Sequence, residues 1–187
     1  MQGYFLVVAI AIIAVAVIVR SQQLRKLGIK AILFGALDKK DFIIPPFMLF
    51  YLYLIIANVF NLPRVGTILD SGHLFSWVGV VFCVLAVIVF LWGIISFKKS
   101  FRVGIDENHP GSLVTTGAFS VSRNPLYVAF FLILTGAFMI FPNWIFFCYI
   151  VGGLWLVDRQ VNLEENSLRR SYGKEYDDYC EKVRRYV

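Results

Sequence analysis

From Tyr127 to Val157 the sequence reads YVAFFLILTGAFMIFPNWIFFCYIVGGLWLV, 31 residues without a formal charge. As one straight α-helix, rising ~1.5 Å per residue, this run would reach about 45 Å and overshoot the ~30 Å hydrocarbon layer of a bilayer. Pro142-Asn143 interrupts it near the middle. Proline removes a helical hydrogen bond, and Pro-Asn is a turn signal, so the run predicts a helical hairpin with its tip at that dipeptide. Its helices are expected at about 125–141 and 143–169. Each apolar leg alone is short, so both helices are expected to continue into polar sequence at the end away from the tip. That places Asn124-Pro125 and Glu164-Glu165 on one face.

Outside the hairpin, three more apolar stretches predict helices at about 3–19, 42–60 and 75–97. Gly3 to Val19 is uncharged, lacks a basic segment before it and is followed by Arg20, the pattern of a retained helix with its N-terminus outside. Pro45-Pro46 falls in the first turn of the second helix, where the N–H groups have no intrahelical partner. Hydrophobic residues make up 59% of the 187, charged residues 16%, and the mean hydropathy is +0.73. Soluble domains carry about a quarter charged residues, so the bilayer is the expected solvent. The length leaves no room for a second, soluble domain, and residues 1–187 are read as a single membrane domain. The fold class is an all-α polytopic membrane protein: five transmembrane helices, the last two a hairpin, plus a cytoplasmic amphipathic C-terminal helix.

Charge orients this layout. Arg20 to Asp41 holds six basic residues, Ser96 to Leu126 holds four, and the chain from Asp158 onward holds seven. Only Arg64 falls in the loop from Asn61 to Leu74. By the positive-inside rule the N-terminus is outside and the C-terminus cytoplasmic. Basic residues beside membrane helices also contact anionic headgroups, so the net charge of +6 needs no nucleic-acid partner and the expected partners are membrane lipids. Trp77 and Trp144 are placed near the outer boundary and Trp92 and Trp155 towards the inner one, as interfacial anchors or core. In the tail (170–187), Tyr172, Tyr176, Tyr179 and Val183 recur at i, i+4, i+7 and i+11. That spacing predicts an amphipathic helix on the membrane or on the protein's own cytoplasmic face.

Cys83, Cys148 and Cys180 are too widely spaced for a metal motif or a disulfide framework and read as buried thiols; no metal site is expected. The chain has no G-x-G-x-x-G after a strand, no P-loop and no H-E-x-x-H.

The residues able to carry chemistry cluster at the open end of the hairpin. Asn124-Pro125 is a cap and first-position signal for the fourth helix. A helix N-terminus attracts anions, and Arg123 beside it adds a planar fork suited to carboxylate or phosphate. Gly117 lets the backbone approach a ligand closely. The same residues also describe a capped helix with a topology-setting arginine. Glu164-Glu165 is a costly pair at a membrane boundary. Glu165 has a ready partner in Arg169 at i+4, whereas Glu164 has only Leu168 at that spacing. His109 is either a proton carrier at neutral pH or a turn residue.

From Leu113 onward the chain resembles the isoprenylcysteine carboxyl methyltransferase and phospholipid methyltransferase family of integral membrane enzymes. The resemblance rests on Leu113-Val114…Gly117-Ala118-Phe119, Arg123-Asn124-Pro125-Leu126-Tyr127, the hairpin, Glu164-Glu165, and Tyr172-Gly173-Lys174-Glu175-Tyr176…Tyr179. It covers about 75 residues. It implies methyl transfer from S-adenosylmethionine to a lipidic or prenylated substrate entering from the bilayer, with the cofactor held by the last helices, their loops and the tail. The implied cofactor contacts are Leu113, Val114, Gly117, Arg123, Asn124, Pro125, Tyr127, Glu164 and Glu165, of which Arg123, Glu164 and Glu165 are also the catalytic candidates. Asn124 stands where many members carry histidine and cannot shuttle a proton. Two other readings stay open: an NADPH-dependent reductase of a sterol-like or polyprenyl lipid, with Lys98, Lys99 and Arg102 near the phosphates, and a non-catalytic membrane subunit.

Overall fold

A computed structural model describes residues 1–26, 42–69, 72–97 and 112–187. These contain six α-helices and no strand: α1 (Gln2–Lys26), α2 (Ile44–Val59), α3 (His73–Phe97), α4 (Pro125–Ile140), α5 (Trp144–Tyr172) and α6 (Lys174–Lys182). A short 3-10 turn, Gly117–Ser120, precedes α4. Helices α1, α3 and α5 are long and apolar enough to cross a bilayer, while α2 and α4 are shorter apolar helices of 16 residues each.

The hairpin forms where the sequence places it. Helix α4 ends at Ile140, and Asn143 caps α5 by accepting a hydrogen bond from the Ile145 N–H at 2.8 Å. Its Nδ2 donates to the Val65 carbonyl at 3.2 Å, which ties the tip to the loop after α2. Only one leg continues into polar sequence. Helix α5 runs on to Tyr172, but α4 starts at Pro125, because Ser122 and Asn124 form a local turn with the Asn124 N–H donating to Ser122 Oγ at 3.1 Å.

Glycine lets α3 and α4 touch along their length. A β-carbon on Gly79 would lie 2.7 Å from the Gly136 carbonyl, and one on Gly136 would lie 2.8 Å from Cys83 Sγ. Small residues at such a seam are the usual means of bringing membrane helices together, since lipid removes the hydrophobic drive between them. The core adds Leu6 and Ala9 of α1, Tyr51, Leu54 and Ile55 of α2, and Ile145, Phe146 and Tyr149 of α5. Tyr149 donates to the Phe47 carbonyl at 3.0 Å, so a buried hydroxyl between α2 and α5 is satisfied.

The outer surface is apolar: Trp77, Trp92, Trp144 and Trp155 are all exposed, with Leu74, Ile95, Phe147 and Leu154. Apolar patches of that extent mark a surface that faces something other than water. Cys148 lies on that surface and is not buried; Cys83 is buried and Cys180 half-buried. Lys30, Lys39, Lys40, Lys98, Lys99, Arg102 and His109 lie outside the described residues.

Candidate active site at the open end of the hairpin

Four segments converge at the end of the bundle away from Pro142: the 3-10 turn, the start of α4, the polar half of α5, and the C-terminal tail. Gly117 anchors the first. Its φ of +66° is one that L side chains rarely adopt, and a β-carbon there would collide with Ser96 Oγ of α3. The close approach that this glycine permits is therefore to α3. Ser96 Oγ donates to the Trp92 carbonyl and accepts from the Ala118 N–H, at 2.8 and 3.0 Å. Leu113 and Val114 are half-buried in the extended chain leading into this turn.

The tail forms a helix with one buried face, as its spacing predicts, but a shorter one. Tyr172 ends α5, Gly173 breaks the chain at φ +52°, and Val183 lies just past α6. Tyr176 and Tyr179 are buried against the protein, while Tyr172 and Val183 are half-buried. Tyr179 donates from its hydroxyl to the Phe119 carbonyl at 2.6 Å, fastening α6 to the 3-10 turn. Burial pushes the Tyr179 hydroxyl up to about 12, although the Arg123 charge opposes the rise. Tyr176 is raised by burial and then by the Glu165 charge. Arg169 pairs with Asp177 of α6 at 3.1 Å and lies 5.9 Å from the centre of the Tyr176 ring.

Beyond α6 the chain straps across the start of α4. The Arg123 N–H donates to the Arg184 carbonyl at 3.0 Å, and Asn124 Nδ2 donates to the Arg185 carbonyl at 3.0 Å. Asn124 occupies the N-cap position with Pro125 behind it, but its side chain holds the strap and makes no cap hydrogen bond.

The paired glutamates have distinct partners. Glu165 is 3% exposed and does not bind Arg169. Arg185 forks onto it, with Nη2 at 2.6 Å from Oε2 and Nε at 3.2 Å from Oε1. Arg123 Nη2 stands 3.4 Å from the same Oε1. The bond to Glu165 raises the Arg185 guanidinium above its ordinary value. Two guanidiniums surround one carboxylate, and Asp158 lies 3.7 Å from Nη1 of Arg185. Glu164 accepts from the Tyr127 hydroxyl at 2.7 Å and from Gln160 Nε2 at 3.5 Å. Arg123 Nε and Gln160 Oε1 are buried polar atoms without a hydrogen-bond partner among the described residues, as are Ser21 Oγ and Asn58 Oδ1 elsewhere in the bundle. Arg123 Nε is a cationic donor, and Gln160 Oε1 is an acceptor beside a carboxylate. Buried groups of this kind are rare in folded proteins, and each calls for a ligand, an ion or water.

Sequence reading thus found Arg123, Asn124, Pro125, Tyr127, Glu164 and Glu165 at one place. It missed Gln160, Arg184, Arg185 and Tyr186. Tyr186 packs against Phe131 of α4 with ring centroids 6.2 Å apart. The clue available was the run Arg184-Arg185-Tyr186, whose charges served equally well as topology signals.

A family model described as phospholipid methyltransferase matches residues 74–175, more than half of the chain. The chain belongs to the phospholipid methyltransferase family. Two curated relatives, probable protein-S-isoprenylcysteine O-methyltransferases of Oryza sativa subsp. indica and subsp. japonica, are each 26% identical over 113 residues. The match covers 58% of this chain and 58% of each relative's own length. No solved structure matches the chain.

Proposed function

We propose that this chain is an S-adenosylmethionine-dependent methyltransferase acting on a lipidic or amphiphilic acceptor at the cytoplasmic membrane face. The observation that carries the reading is the pair of open, buried polar atoms, Arg123 Nε and Gln160 Oε1, flanking Tyr127 and Glu164. Their signs complement an α-amino acid, which presents a carboxylate and an ammonium together. Arg123 and the N-terminal end of α4 hold the carboxylate. Gln160 Oε1 and the Glu164 carboxylate hold the ammonium. Leu113 and Val114 supply an apolar edge for the adenosine. When bound, the cofactor supplies a methyl group activated by a sulfonium.

Glu165 acts through Arg123 and does not touch the ligand. Asn124, engaged by the strap, takes no proton. A carboxylate acceptor is already ionised at pH 7 and needs only positioning. An amine acceptor must first lose a proton, and Glu164 is the group placed to take it. The rice relatives' names favour a prenylated cysteine carboxylate and the family's description a phospholipid, so the acceptor class spans both.

The topology proposed with this function is a single membrane domain with five spans, an outer N-terminus and a cytoplasmic C-terminus. The placement of 17 of 18 basic residues on one side supports it. Titration of Arg123→Ala and Glu164→Gln with S-adenosylhomocysteine in detergent tests the site. Each should weaken binding at least about tenfold, the worth of one charge-assisted hydrogen bond. Affinity unchanged in both would remove the cofactor from this end of the hairpin.

A further inference from the structure

We infer that Arg185, on the C-terminal strap, is a positioning residue that keeps the Arg123 guanidinium open for an anionic ligand by satisfying Glu165 in its place. The inference rests on the site proposed above, but its central observation concerns the side chains alone. Glu165 is nearly fully buried, and a buried carboxylate is stable only when paired. Two cations compete for it on unequal terms. Arg185 makes the two-pronged contact, at 2.6 and 3.2 Å, while Arg123 reaches one oxygen at 3.4 Å and leaves its Nε without a partner among the described residues.

Planar, two-pronged arginine–carboxylate pairing is the stronger geometry. Arg185 therefore carries the neutralising role, and Arg123 keeps donors in reserve. The strap makes this division possible. Backbone bonds from Arg123 to Arg184 and from Asn124 to Arg185 set the register that aims Arg185 at Glu165. Asp158 lies 3.7 Å from Arg185 Nη1 and holds the far side of the same guanidinium.

Removing Arg185 should have a consequence opposite to that of removing a simple structural contact. Glu165, left with one cation, draws Arg123 into a closed pair, and the ligand's anion loses its donor. Removing the Glu165 charge as well releases Arg123 again. The substituted side chains make none of the strap's backbone bonds, and the Arg185–Glu165 tether is lost equally in Arg185→Ala and in the double variant, so the comparison between those two isolates the Glu165 charge.

The test uses the full chain in detergent micelles as wild type, Arg185→Ala, Arg185→Lys and the double variant Glu165→Gln/Arg185→Ala. One readout is the rate at which phenylglyoxal labels Arg123, located by mass spectrometry, which needs no cofactor. The other is titration with S-adenosylhomocysteine. Arg185→Ala should label more slowly at Arg123 and bind at least about tenfold more weakly. The double variant should recover both, and Arg185→Lys, which keeps the charge but loses the fork, should fall between wild type and Arg185→Ala. Arg123 labelling that is unchanged or faster in Arg185→Ala overturns the assignment, because loss of mere cover exposes the guanidinium. Affinity that falls further in the double variant also overturns it. If wild type ignores S-adenosylhomocysteine while the labelling pattern holds, the cofactor reading falls and the positioning role of Arg185 stands.

Discussion

Glu165→Ala should release the C-terminal strap without unfolding the bundle. The carboxylate holds Arg185 by a fork and Arg123 by one longer contact, with side-chain exposures of 4%, 36% and 13% for the glutamate and the two arginines. Deleting one partner of a fully buried pair costs about 3–5 kcal/mol. Arg185 is more than a third exposed and regains water, and the Arg123 contact is long, so a discounted figure of about 2 kcal/mol applies. The backbone bond from the Arg123 N–H to the Arg184 carbonyl reports this opening directly. Its hydrogen-exchange protection should fall about thirtyfold, since 1.36 kcal/mol corresponds to a factor of ten. The α3–α4 seam around Gly79 and Gly136 shares no group with this cluster, and protection there should not change. Asp177→Ala, which deletes the exposed pair with Arg169, serves as the control and should alter strap protection less than about threefold. Protection at Arg123 within twofold of wild type in Glu165→Ala would refute the claim that this carboxylate holds the strap.

Gly117→Ala should loosen the 3-10 turn by about 2 kcal/mol or more, because the new methyl meets Ser96 in a backbone conformation that already disfavours it, whereas Gly173→Ala, with open space around it, should cost only about 1 kcal/mol. Thermal unfolding of both variants in detergent checks the order. Asn143→Ala removes the cap to Ile145 and the tie to Val65 and should cost about 1–2 kcal/mol by the same measurement. Alkaline pH should undock α6. The folded-state value of Tyr179 is raised, so its contribution is fully present below pH 10 and is lost as the pH climbs through about 12. Proteolysis of the tail across that range should accelerate in wild type, and Tyr179→Phe, already without the bond to Phe119, should show a shallower pH dependence.

The hairpin was legible because a long uncharged run and a Pro-Asn break are local signals, and lipid leaves few other ways to arrange them. The polar extension of α5 followed from the same length argument, since its apolar leg is too short. Helix α4 starts at Pro125, as the Asn124-Pro125 signal predicts, and the polar residues before it fold into a turn instead of lengthening the helix. At the site, residue types were readable but their partners were not. The i+4 rule paired Glu165 with Arg169, and a guanidinium 20 residues further along the chain displaced it. Gly117 announced a close approach without saying that the neighbour was Ser96. The strap leaves no periodic trace, because it joins Arg123 to Arg184 through backbone atoms across 61 residues. Arginines near a membrane also have topology as their default reading, which concealed Arg185.

The most direct test of the central claim is isothermal titration of the detergent-purified protein with S-adenosylhomocysteine and, separately, with NADPH. Saturable binding of S-adenosylhomocysteine alone is the predicted result. Binding of NADPH alone, or of neither, would contradict a methyltransferase site at the open end of the hairpin.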